Sequence, residues 1–216
     1  MENTDIINLW KSYDKKLEEN LVLNKKNATD ITQLKVQSLL KSMRPIKLFI
    51  IITGIVWVIF VDVLIINFFQ IASPFLLISA VIHVLLTKLA IGIYLYQVIL
   101  IYQVDISEPV LATQDKLASL KSSTLWVARL SFLQLPIWTI FYWNRSMLEN
   151  GNFWLYAIQF IVTVSSVITS VWLFFNIKYE NRDKKWFQLI ISGIEWNPVI
   201  KSMELYHEVE EFKQDN

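Results

Sequence analysis

Charged side chains are sorted along this chain rather than interleaved. They crowd residues 1–47, 103–123 and 178–216 and nearly vanish between those blocks. A helix or strand that faces water on one side alternates polar and apolar positions. The stretches 48–69, 75–102, 125–143 and 153–177 do not. Each is long enough to cross about 30 Å of hydrocarbon as a helix. Backbone groups in hydrocarbon must bond each other, which leaves helices as the form for such runs. The expected fold is therefore all-α and polytopic, with four transmembrane helices in two hairpins and amphipathic cytoplasmic helices at both termini. The chain divides into a cytoplasmic helical segment 1–44, a four-helix membrane domain 45–177 and a cytoplasmic tail 178–216. Apolar residues make up 54% and charged ones 18%, so four buried helices in a soluble bundle would lack a polar coat.

Lys and Arg in the connections set an orientation. Lys35, Lys41, Arg44 and Lys47 precede the first run, and 70–74 has none. Lys116 and Lys121 lie in 103–124, only Arg145 in 144–152, and Lys178, Arg182, Lys184 and Lys185 follow the fourth run. This alternation predicts that both termini are cytoplasmic. Richness in Ile, Lys and Asn points to an AT-rich bacterial genome, so the expected location is the bacterial cytoplasmic (inner) membrane. The polar start predicts no cleavable signal peptide. The outer loops are too short for a folded domain, so any large partner is met from the cytoplasm or within the bilayer.

Ionisable residues inside a span are costly and usually face a bundle interior or a wet cavity. Asp62 and His83 each lie roughly 12–14 Å in from the outer turn at 1.5 Å per residue, which predicts that they come within reach of each other. Ala80, His83, Thr87, Ala90, Tyr94 and Gln97 form a small-and-polar seam at alternating three- and four-residue steps, suited to close helix packing. Lys88 sits beside it and can snorkel. The simplest role for the Asp62–His83 pair is to fix helix register; a proton or ion relay is the functional alternative. Arg129 reads as a snorkelling anchor, Pro136 as a kink in the third span, and Gln134 as a bond to a neighbouring helix. Ser165, Ser166, Thr169 and Ser170 make two overlapping small-residue pairs for close packing.

Outside the spans, Ile6, Trp10, Tyr13, Leu17 and Leu21 fall at helical spacing, with Lys, Glu and Asp opposite. Asn24 to Asn27 weakens that helix. A second helix, capped by Thr29 or Asp30, runs into the first apolar run, with Pro45 marking the membrane entry. Asn197 and Pro198 read as the cap and first residue of a tail helix carrying Val199, Met203, Tyr206, Val209 and Phe212. Trp10, Tyr13, Leu17, Met203, Tyr206 and Phe212 are the candidate partner-binding residues. His207 and Glu211 have metal-compatible spacing, but two ligands on one exposed helix are better explained as a solvated face.

Several functions are excluded by what is missing. There is no cysteine, hence no disulfide, thiolate metal site or thiol nucleophile. The four glycines stand in no phosphate-binding motif, and no zinc-protease signature or catalytic triad occurs. No enzymatic activity, cofactor or metal is expected. A net charge of +1 implies no nucleic-acid partner.

The segments Asn8-Leu9-Trp10-Lys11-Ser12-Tyr13-Asp14-Lys15-Lys16-Leu17, Phe132-Leu133-Gln134-Leu135-Pro136, Asp183-Lys184-Lys185-Trp186-Phe187 through Glu195-Trp196, and Glu208-Val209-Glu210-Glu211-Phe212-Lys213 carry a resemblance over nearly the whole chain. They resemble a group of uncharacterised four-span membrane proteins of Bacteroidetes-type bacteria with no assigned activity. Such proteins look like companions of extracytoplasmic-function sigma factors, so the resemblance implies a membrane regulator. The expected function is thus a membrane-anchored regulatory or scaffolding protein that binds a cytoplasmic partner. The alternative is a subunit of a small channel or transporter working as a homo-oligomer. A membrane-disrupting effector is a third option.

Overall fold

The computed structural model describes residues 2–104, 110–191 and 196–214. Every regular element among them is helical. In chain order they are α1 (Glu2–Phe68), α2 (Pro74–Gln103), α3 (Val110–Leu133), α4 (Leu135–Ile140), α5 (Arg145–Asn150), α6 (Phe153–Asn176), a 3-10 turn (Tyr179–Asn181), α7 (Lys185–Ile191) and α8 (Asn197–Gln214). Three of them, α1, α2 and α6, are long and apolar enough to cross a membrane.

The largest departure from expectation is α1. It runs unbroken through Asn24 and Asn27, so no new helix starts at Thr29 or Asp30, and it passes Pro45 into the apolar run as expected. An Asn inside a helix costs only a fraction of a kcal/mol, and good helix formers flank these two. Pro45 removes one backbone bond, to the carbonyl of Lys41. Packing holds the two sides in line: Val36, Leu40, Met43, Lys47 and Ile51 are all buried along one face that spans the proline. At 1.5 Å per residue the helix is about 100 Å long.

The α1–α2 hairpin closes through Ser73, which caps α2. Its hydroxyl accepts from the Leu76 N–H at 3.2 Å and donates to the Trp143 carbonyl at 2.9 Å. Pro74 follows as the first helical residue, where its missing N–H has no cost. Val58, Val61, Ala80 and Val84 make the core of this end. At the far end of α2 a second core joins Val36, Leu40, Met43, Leu100, Ile101, Leu117, Leu120 and Val199, from α1, α2, α3 and α8. A third joins Leu125, Leu173, Ile177, Phe187 and Trp196. The tail helix begins one residue earlier than Asn197 suggested. The Trp196 carbonyl accepts the first helical bond, from Ile200 at 3.1 Å, which makes Trp196 the cap.

The run 125–143 is not one helix. α3 passes unbroken from its polar half into the apolar half, stops at Leu133, and α4 restarts after Gln134. Pro136 is the cause, since it cannot donate to the Phe132 carbonyl four residues back. Ser170 of α6 supplies the missing donor, its hydroxyl bonding that carbonyl at 3.0 Å. Gln159 does the same for the Thr139 carbonyl at the end of α4, at 2.6 Å. Gln134 itself makes no such bond among the described residues, so the expected cross-link exists but comes from α6. Of the four hydroxyls expected to pack, Ser170 is buried, Ser166 half-buried, and Ser165 and Thr169 exposed.

In the loop before α6, the Tyr156 hydroxyl sits among backbone groups of the preceding turn. Its single proton is shared between the carbonyls of Met147 and Leu148, at 2.7 and 2.8 Å, and its oxygen accepts from the Gly151 N–H at 3.2 Å. A Cβ at residue 151 would collide with the Met147 carbonyl oxygen and the Tyr156 ring. Gly151→Ala should therefore destabilise the fold by about 1–3 kcal/mol. Ser170→Ala should cost about 1–3 kcal/mol by leaving the Phe132 carbonyl without a donor, whereas Ser170→Thr should retain most of the stability. Equilibrium unfolding in detergent micelles measures both; wild-type midpoints for the alanine variants would contradict the assignment.

Candidate functional site

The polar groups of the apolar helices fall into three sets, placed by the antiparallel register of α1 and α2. Lys47 facing Gln97 and Gly54 facing Ile91 fix that register. It sets Asp62 level with His83, to within about one residue of rise, as depth along the sequence suggests. The two do not pair. Asp62 instead bonds Lys88 at 3.0 Å, and His83 takes Trp57 at 3.3 Å. The reason is azimuth. Asp62 and Trp57 are five residues apart, about 140° around α1, and so are Lys88 and His83 on α2. The ion pair and the Trp–His contact therefore occupy opposite flanks of one hairpin. Lys88 reaches past its own level because side chains lean toward a helix N-terminus, and on antiparallel helices those of Asp62 and Lys88 lean toward each other.

The Trp57–His83 flank faces α4. An indole N–H can only donate, so His83 accepts through Nε2, and the neutral ring carries its proton on Nδ1. That Nδ1 is buried without a hydrogen-bond partner among the described residues. The imidazole lies edge-on to Trp138, ring centroids 5.0 Å apart, as well as to Trp57 at 6.4 Å. These rings form one wall of a groove of about 460 Å³ between α1, α2 and α4, whose other walls include Phe60, Leu64, Phe68 and Phe141. Trp57 and Trp138 were not singled out by sequence. Their aromatic neighbours are common in any span, and only the fold brings them to one histidine.

The second set is the Asp62–Lys88 pair, half-exposed on the other flank. The third gathers at the opposite end of the hairpin. Lys47 is fully buried, with its ammonium 2.5 Å from the Gln97 carbonyl oxygen and 5.0 Å over the Tyr94 ring. Arg44 lies 4.0 Å over Tyr102 and donates to the Ile101 carbonyl at 3.1 Å. Arg129 donates twice to the Ile177 carbonyl, at 2.9 and 2.7 Å, placing a cation at the negative end of the α6 dipole. The seam of α2 packs inward, with Ala80 and Gln97 buried and His83, Thr87, Ala90 and Tyr94 half-buried.

The candidate partner-binding residues separate. Trp10, Tyr13 and Leu17 are 68%, 63% and 61% exposed on a stretch of α1 where every residue from Ile6 to Asn24 faces solvent. Met203 packs instead against the core shared by α1, α2 and α3, so it is not part of one surface with them. The side chains of Tyr206 and Phe212, like those of His207 and Glu211, lie outside the described residues. Among the described residues no three potential metal ligands converge. No protein family, curated protein or solved structure matches the chain.

Breaking the Asp62–Lys88 pair should reveal coupling. Asp62→Asn and Lys88→Met should each destabilise the micelle-solubilised protein, and the double variant should be more stable than their summed effects by on the order of 1–3 kcal/mol. Additive effects would mean that the two groups do not act on each other.

Proposed function

We propose that the chain is a multi-pass membrane protein with four crossings in two hairpins: α1 with α2, and the apolar half of α3 plus α4 with α6. Two features support the fourth crossing. The Ser73 hydroxyl ties the α1–α2 turn to Trp143, which fits the two loops lying at one membrane face. Among the described residues the carbonyl-bonded or ring-bound cations, Arg44, Lys47, Lys116, Lys121, Arg129 and Arg182, gather toward the other ends of these helices. Cations favour the cytoplasmic side, so both termini are cytoplasmic, in a bacterial inner membrane.

Its role in this reading is that of a membrane-anchored scaffolding or regulatory protein that holds a partner at the cytoplasmic face. One observation carries it: α1 leaves the membrane without a joint and presents an uncovered apolar stripe of Ile6, Trp10, Tyr13 and Leu17. A free helix with such a stripe gains most of its stability from what it packs on. A second reading, a subunit of an oligomeric channel or transporter, draws on the half-exposed Asp62–Lys88 pair. An ion pair at that depth needs a neighbouring protomer or a wet path.

Protein extracted from native membranes in mild detergent should retain a protein partner near one-to-one stoichiometry. Deleting 1–30 should cut that recovery at least about tenfold, the scale on which truncated hot-spot residues act. Recovery unchanged by deleting 1–30 and by deleting 195–216 would reject the scaffold. Ion flux into liposomes that is lost in Asp62→Asn would favour the channel, and a strictly monomeric particle without flux would reject it.

A further inference from the structure

The exposed stripe on α1 does not stop at Leu17. Counting in alternating three- and four-residue steps, Ile6, Trp10, Tyr13, Leu17, Asn20, Asn24, Asn27, Ile31 and Leu34 fall on one line. This is the core line of a heptad repeat. Nine consecutive core positions are apolar except three, and those three are all asparagine. The positions directly opposite, Lys11, Ser12, Lys15, Glu18, Glu19, Val22, Lys25, Lys26, Thr29, Thr32 and Gln33, are polar with one exception. All nine line residues are exposed. The side of α1 that packs on the body is elsewhere: Val36 and Leu40 are buried and continue a face about 160° round from Leu34 and its line.

We infer that this arm, residues 6–34, forms a parallel, in-register coiled coil with the same arm of a second copy of the chain. The inference rests on the membrane reading above, which supplies the alignment. Two copies held in one bilayer and related by an axis along its normal bring their arms together parallel and unshifted. Each asparagine then meets its own counterpart. A carboxamide offers both donor and acceptor, so it is its own complement, and a polar Asn at a single a position, here Asn24, specifies register and oligomer state at a cost in stability. Any other partner would have to match three polar layers in succession. The flanking charges agree. Asp30 in one arm lies beside Lys35 of the other, and the remaining flanking pairs, Leu9 with Asp14, Lys16 with Leu21 and Leu23 with Ala28, set no like charges together. The three-layer asparagine segment weakens the coil at its middle while holding its register, so the arms pair without slipping.

The chain contains no cysteine, so single-cysteine variants of the full-length protein can be oxidised in native membranes without background. Disulfide dimer should form at Trp10→Cys, Leu17→Cys and Asn24→Cys at least tenfold more than at Lys15→Cys, Glu18→Cys and Val22→Cys. Two differently tagged copies should appear together in the product. A flat profile, or maxima at the outward positions, would overturn the coiled coil. So would crosslinking of the stripe to a protein of another mass, though that result would uphold the scaffold reading. Retention of each variant in the membrane after an alkaline wash keeps a failure of pairing separate from a failure of insertion. Asn24→Cys, at a layer already polar, guards against loss of folding at the apolar positions.

Discussion

The constraint from which the rest follows is the shortage of polar side chains to satisfy backbone groups in the apolar half of the molecule. There, N–H and C=O groups must be used by the helix itself or found a specific donor. α1, α2 and α6 meet the requirement by simple continuity. The interrupted element does not, and its two vulnerable carbonyls are met by Ser170 and Gln159 of α6. Arg129 at the Ile177 carbonyl and Tyr156 at the turn before α6 answer the same need. Ser170, Gln159, Arg129 and Tyr156 look scattered in the sequence, yet in the fold each is attached to an interruption or an end of helical bonding.

Much of this was readable beforehand, and the parts that were not share a cause. Two of the apolar runs, in α2 and α6, became helices of the expected extent, and the first became the apolar end of the longer α1, because a long uncharged run leaves little choice. The interruption near Pro136 was readable too, since a missing N–H is written in the residue type. Which side chain would repair it was not, because Ser170 is distant in sequence and looks like any small residue of a packing seam. Asp62 and His83 were placed level with each other, as the hairpin register has them, and given the wrong partners. Rise per residue fixes height, but rotation about each helix comes from the packing of Val58, Val61, Ala80 and Val84.

The passage of α1 through Pro45 was expected, and the packing explains why the helix tolerates it. A proline inside a helix removes one backbone bond. The row of buried residues from Val36 to Ile51 is held against α2, α3 and α8 before the ring, and against α2 through Lys47 and Gln97 after it. One lost bond is outweighed when the neighbours on either side are held against the same body. The asparagines at 24 and 27 were read as weakness, and the helix carries them without a break.

The absence of a joint in α1 has a mechanical consequence. A hinge between arm and span would isolate one from the other, since bending or twisting below it would dissipate there. This helix has no such break. A load on its polar end has two routes toward the Asp62 flank and the Trp57–His83 groove: the continuous helix itself, and the neighbours on which Val36 to Ile51 are packed.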